Sequence, residues 1–180
     1  STVTTEAELQ KAIENATGSC NGEATTITIK GTITISNGIV IKDKAIKLTG
    51  GKIIRSSSYL KDLISLQDAC LTLENIDIDG NGNSFAKTVE MYPAIDVEFK
   101  SSLTINSGTK IHNHVSDTDL GIINEYGSSV IMNDGSIYDN YNPLGIIRSG
   151  GSFVMNGGSI YKNEGSYLLM LLHSFEMNGG

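Results

Sequence analysis

The sequence predicts an all-β solenoid, a parallel β-helix of about six stacked coils behind a short N-terminal capping α-helix, with an uncapped C-terminal end. Three observations carry that prediction. Residues 130–140 (VIMNDGSIYDN) and 153–163 (FVMNGGSIYKN) are near-copies, and 175–180 (FEMNGG) begins a third. The steps from 130 to 153 and from 153 to 175 are 23 and 22 residues, too short for a helical pair and right for one β-coil. Weaker copies of the same strand, corner and strand precede them: 27–35 (ITIKGTITI), 46–54 (IKLTGGKII), 71–78 (LTLENIDI) and 103–108 (LTINSG).

From the N-terminus, residues 6–16 (EAELQKAIENA) place Leu9, Ala12, Ile13 and Ala16 on one stripe of a helix, and Thr5 with Glu8 has capping-box spacing. A stack of β-coils has an open apolar end with unpaired strand edges, which a helix laid across it hides. Residues 1–24 are therefore expected to form a cap and 25–180 the coils. The coil starts fall at 27, 46, 71, 103, 130, 153 and 175, so strands keep their period while connections absorb the variation. A second marker, LGII at 120–123 and 144–147 with LLML at 168–171, predicts a third short strand per coil. The sequence stops just into a new coil, which suggests a fragment of a longer array whose bare edge can pair end to end with another copy.

Alternation within strands puts Val130, Met132, Phe153, Met155, Phe175 and Met177 on one face. Like then stacks on like, with Asn133, Asn156 and Asn178 as a corner ladder and Tyr138 over Tyr161. The 20 glycines cluster in pairs where the chain turns, and Pro93 and Pro143 sit in connections, where a missing donor interrupts no ladder.

Composition narrows the partners. Asp and Glu number 20 against 13 Lys and Arg, a net charge of −7 with no basic stripe, which argues against nucleic acid and anionic membrane. The longest apolar run, 168–172, is far below the roughly 20 residues that membrane insertion as a helix needs. Cys20 and Cys70 are an even pair, open either to a disulfide tying the cap to the third coil or to two separate thiols.

Chemistry-bearing motifs are few. In DIDGNGN, Asp77, Asp79 and Asn81 are spaced like the first three ligands of a calcium loop, but the twelfth position is Thr88 where a bidentate Glu belongs; the other reading is a plain Asp/Asn/Gly corner. Calcium is the one cofactor suggested. His112 and His114 alternate on one face if their segment is a strand, with Asp117 and Asp119 beyond, a weak zinc pattern. Tyrosines outnumber the other aromatics, and Tyr92, Tyr138, Tyr141 and Tyr161 fall at corners or in loops, where rings could stack on sugars. The long connections at 81–92 and 112–119 are where a rigid scaffold would carry recognition.

The opening strand and TEAEL helix, followed by TTITIKGTITIS and IKLTGG, resemble the start of right-handed parallel β-helix domains with the pectin-lyase-like fold. The MNGGSIYKN copies look like the repeats of large bacterial cell-surface proteins of that fold. The resemblance implies right-handed winding, an extracellular cell-surface location, and service as an adhesin or structural stalk without catalysis, its partner a host or environmental glycan or protein. The alternative it carries is a carbohydrate-active enzyme, a polysaccharide lyase or glycoside hydrolase. Such sites need a carboxylate-held calcium with a basic residue, or paired carboxylates. Arg55 and Arg148 lie coils apart, and no facing Asp pair repeats between coils.

Overall fold

Three parallel sheets run the length of the molecule, and the chain visits them in rotation. The computed structural model covers residues 1–180. The first sheet has eight strands: Thr2–Val3, Thr25–Ile29, Ala45–Thr49, Cys70–Glu74, Ser102–Ile105, Ser129–Met132, Ser152–Met155 and Ser174–Met177. The second has six, Thr32–Ile35, Lys52–Arg55, Asp77–Asp79, Lys110–His112, Ser136–Tyr138 and Ser159–Tyr161. The third also has six, Ile39–Lys42, Ile64–Gln67, Ile95–Val97, Ile123–Glu125, Gly145–Ser149 and Tyr167–Leu171. Six complete coils thus span 25–42, 45–67, 70–97, 102–125, 129–149 and 152–171, and Ser174–Met177 opens a seventh turn.

Register keeps like on like. In the first sheet Ile46, Leu71, Leu103, Val130, Phe153 and Phe175 form one column, and Leu48, Leu73, Ile105, Met132, Met155 and Met177 the next. The second sheet contributes Ile33, Ile53, Ile78, Ile111, Ile137 and Ile160. Strand alternation aims these columns at one interior, where 36 buried residues from Val3 to Met155 make a single core. Each fully buried Ile or Leu stabilises that core by about 1.5–3 kcal/mol. The Phe153 and Phe175 rings stack with centroids 5.4 Å apart.

The LLML segment aligns differently from the sequence expectation. Gly145 pairs with Tyr167 and Ile147 with Leu169, so residue 168 stands over 146 rather than 144. Leu144 and Leu168 are exposed, and the Ile and Leu at 123, 147 and 169 form the inward column. A two-residue slip preserves which face each side chain takes, so alternation alone could not detect it.

The cap helix is Glu6–Glu14, shorter than the apolar stripe suggested, and ends at Asn15. Thr5 Oγ1 accepts from the Glu8 N–H at 3.2 Å, while Glu8 reaches back to the Thr4 N–H at 2.7 Å and the Thr4 hydroxyl at 2.9 Å. Those bonds hold the Glu8 carboxyl below its ordinary pKa. Leu9, Ile13 and Ala16 are buried on the first coil. Glu6 accepts from the Ser36 and Asn37 N–H groups, and Lys44 Nζ donates to the Glu14 and Ala16 carbonyls, tying the helix to the coil beneath. Cys20 and Cys70 are joined in a disulfide with Cα atoms 5.5 Å apart, which anchors the cap to the third coil. No helix is long and apolar enough to cross a membrane.

Two kinds of asparagine ladder close the corners. Nδ2 of Asn133 donates to Oδ1 of Asn106 at 3.0 Å, Asn156 to Asn133 at 2.9 Å, and Asn178 to Asn156 at 2.9 Å. This expected ladder reaches one coil further down, to Asn106; it is solvent-exposed and bonds amide to amide rather than to turn carbonyls. The second ladder, at the exit from the second sheet, is buried: Asn140 Nδ2 donates to Ile111 O and Asn163 Oδ1, and Asn163 Nδ2 donates to Ile137 O. Gly51 shows why glycine is needed at a corner, since φ is +51° and a Cβ would lie 2.5 Å from the Gly31 carbonyl.

Candidate ligand-binding site

The outer face of the second sheet carries five of the sequence-selected residues, Asp77, Asp79, His112, Tyr138 and Tyr161. One outward row runs Lys52, Asp77, Lys110, Ser136 and Ser159, and the next runs Asp79, His112, Tyr138 and Tyr161. His112 Nε2 and Asp77 Oδ1 are 2.7 Å apart, and the imidazole lies flat on Tyr138 with centroids 4.9 Å apart. Tyr138 in turn stacks on Tyr161 at 5.2 Å. Burial, then the Asp77 charge, raises the Tyr138 hydroxyl pKa. Tyr138 thus has both faces covered, by His112 and by Tyr161, so a sugar has no room between the two tyrosines, whereas Tyr161 stands on the last strand of the sheet.

Asp77, Asp79 and Asn81 hold the corner by themselves. Asp79 accepts from Lys52 Nζ at 2.6 Å, the Asn81 N–H at 2.8 Å and Asn113 Nδ2 at 2.9 Å. Burial pushes its carboxyl up, but these donors outweigh burial and leave the pKa lowered. Asn81 sits at φ +56°, its amide donating to Arg55 O and its Oδ1 accepting from Ser84. With the Asp79 and Asn81 oxygens already paired to Lys52, Asn113 and Ser84, the donor set fits a self-bonded corner rather than a calcium ion. No three His, Cys, Asp or Glu side chains gather where they could share a metal. His112 and His114 part company because Asn113, at φ +55°, turns the chain between them: His112 faces out and His114 is wholly buried.

Beyond that turn the two long connections fold back on the coils. The turn Gly82–Ser84 lies against the fourth coil, its Gly82 N–H donating to Asn113 O at 2.6 Å. Val115, Tyr141 and Glu164 follow the buried ladder as bridging residues on successive coils. Between them and the 80–94 connection lies an open groove of about 470 Å³. Tyr141 forms part of its floor, with Lys87 Nζ 4.6 Å above the ring and paired to Glu164. Phe85, Asn113, Asp139 and Lys162 complete the wall. Donors and acceptors thus surround two aromatic rings, Tyr141 and Phe85, a lining suited to hydroxylated ligands. Asp139 and Glu164 are both solvent-exposed carboxylates rather than a buried acid and base.

Of the tyrosines singled out by sequence, the second-sheet face gathers Tyr138 and Tyr161, the groove takes Tyr141, and Tyr92 stands apart, its ring 4.9 Å from Lys61 Nζ. Tyr92 contributes instead through its carbonyl, which accepts from His114 Nε2 at 3.1 Å. Beneath it the fully buried Arg55 donates to the Tyr59, Lys61 and Pro93 carbonyls and fixes the 56–63 and 80–94 connections to the core. Burial lowers the Arg55 pKa to about 10 and holds His114 neutral, well below the usual imidazole value. Burial, reinforced by Asp96, raises Asp62 to about 6. Sequence reading missed Arg55 as a loop anchor and Lys87, Asp139, Lys162 and Glu164 as groove residues; the only signal was the length of the connections that carry them. Comparison with family models, with curated proteins and with solved structures finds no match to this chain.

Proposed function

We propose that the chain is a non-catalytic segment of an extracellular surface protein, a rigid stalk that presents a glycan-binding groove on one side. The observation that carries this reading is the groove over Tyr141: it lies where both long connections converge, and its polar lining of both charges surrounds the Tyr141 and Phe85 rings. Connections that reach their greatest length here, at 80–94 and 113–122, while the interior register continues unbroken, are what a scaffold carrying recognition requires. The disulfide supports an oxidising, extracellular setting. The resemblance to pectin-lyase-like β-helices and MNGG-repeat bacterial surface proteins supports an adhesin or stalk.

The test is a glycan array followed by calorimetry on the best hits. Asp139→Asn with Lys162→Asn, at exposed positions where asparagine tolerates the left-handed backbone, is expected to weaken binding about tenfold while leaving the melt unchanged. Incubation with polyuronides and mucin glycans is expected to release no reducing ends. Release would convert the reading to the carbohydrate-active alternative, and absence of any glycan binding would leave a bare stalk.

A further inference from the structure

A second site lies on another edge, where the repetition is interrupted. Val97, Glu125, Ser149 and Leu171 form one inward column of the third sheet. The ladder continues one residue on, through the Tyr126 N–H to Val97 O, the Gly150 N–H to Glu125 O and the Leu172 N–H to Ser149 O. Tyr126, Gly150 and Leu172 therefore stand above one another on the outside of successive coils. Coils about 4.8 Å apart put Tyr126 and Leu172 about 10 Å apart, with only a glycine between them. That gap admits one flat ring in van der Waals contact with both. Where Tyr161 covers Tyr138, nothing covers Tyr126.

The surroundings of this slot are unlike the rest of the surface. Tyr126, Leu172 and Phe99 are 74%, 64% and 60% exposed, three of the most exposed large apolar side chains in the chain, and all three line the same hollow of about 340 Å³. Phe99 leans over Gly127, where a Cβ would come within 2.9 Å of the ring. Arg148 lines the hollow from the same coil as Gly150, with Asn124 below it and Met170 above it along the third sheet. None of the four ion pairs engages Arg148. The neighbouring carboxylates are committed elsewhere: Glu125 accepts from the Ser128 N–H, Ser149 Oγ and the Gly151 N–H, and Asp96 accepts from Asn124 Nδ2 at 2.7 Å. Since Arg55 is buried, Arg148 is the one guanidinium open to a ligand.

We propose that this slot binds a single acidic sugar, its ring held between Tyr126 and Leu172 against Phe99 and its carboxylate taken by the Arg148 fork. A chain of net charge −7 repels a polyanion, whereas one acidic unit on an otherwise neutral glycan meets one isolated guanidinium. The site shares no residue with the Tyr141 groove, so either can fail without the other.

The test is calorimetry or saturation-transfer NMR with the methyl glycosides of N-acetylneuraminic acid and glucuronic acid, each against its methyl ester and a sulfated neutral sugar. The acids are expected to bind and the esters to bind at least tenfold more weakly; a preference for the sulfated sugar over both acids would overturn the carboxylate assignment. Gly150→Leu is the decisive variant, because a Cβ there meets nothing closer than 3.4 Å, so the protein folds while the added side chain fills the gap. It is expected to abolish binding with an unchanged melt, and Arg148→Gln to remove the preference for acid over ester. Binding of Gly150→Leu at wild-type strength, or equal binding of acid and ester by the native chain, would overturn the proposal. The Asp139→Asn, Lys162→Asn variant is expected to leave this binding intact.

Discussion

The third and fourth coils and the fifth and sixth share one interior register but differ outside. In the fifth and sixth, outward positions repeat: Tyr138 lies under Tyr161 and Asn133 bonds Asn156, so each side chain's best surface is used by its own copy. In the third and fourth, the outside is heterogeneous: Asp77 meets His112, Asp79 meets Lys52 and Asn113, and the 80–94 connection folds down over Arg55 of the second coil. Repetition makes a stiff rod and consumes its own binding surface. Open surface is left where repetition breaks, where the long 80–94 connection folds back toward Tyr141 or where Gly150 replaces a side chain on the outside of its coil.

The shared interior can be broken first. Met155→Asp puts an unpaired carboxylate into a column that is only 5% exposed at that position, and a loss of about 4 kcal/mol or more is expected. Thermal melting would show the fifth and sixth coils opening; an unchanged melt would mean that Met155 faces water. Next, Cys20→Ser with Cys70→Ser opens a loop of 50 residues, with an expected cost of about 4 kcal/mol by chain entropy. Hydrogen exchange should then rise in the cap before it rises in the last coils, and uniform exchange would deny the cap its separate anchorage.

The two asparagine ladders sharpen the contrast at smaller scale. Asn140→Ala leaves the buried His114 N–H and the Ile111 carbonyl without the partners Asn140 supplied, at about 2–3 kcal/mol. Asn133→Ala, in the exposed ladder, should cost under about 1 kcal/mol. Equal denaturant midpoints for the pair would mean that burial does not separate the ladders. An effect of similar size and opposite sign is expected from Asp62→Asn. With the folded pKa raised from 3.8 to about 6, the folded state holds the proton more tightly. The stabilisation is therefore full below about pH 4 and lost as pH rises through 6. Removing the charge should stabilise the protein at pH 7.5 by about 1 kcal/mol after allowance for partial exposure, and hardly at all at pH 4. Destabilisation at pH 7.5 would show instead that Asp62 serves Arg55 as a counter-ion.

Much of the scaffold was legible because its code is local and repeated. The MNGG copies gave the step, alternation gave the inward Met and Phe columns, and Thr5 with Glu8 gave the helix start. The LLML segment was misaligned because a two-residue slip keeps every residue on its face, and only pairing with Gly145 and Ile147 resolves it. The histidines were placed together because a strand was assumed through Asn113, whose positive φ no periodicity reveals.

The sites were scarcely legible. That Tyr138 and Tyr161 stack was legible from their matching positions, but that His112 takes the other face of Tyr138 was not. Arg55 was read only as lying coils away from Arg148, and only the folding of the 56–63 and 80–94 connections around it makes it an anchor. By itself the sequence determined the coil, its period and what faces inward, since these follow from alternation and turn chemistry within about 25 residues. The tertiary structure decided which outward faces stay open, because that depends on what stands one coil above and below, a neighbour some 20 to 30 residues away along the chain.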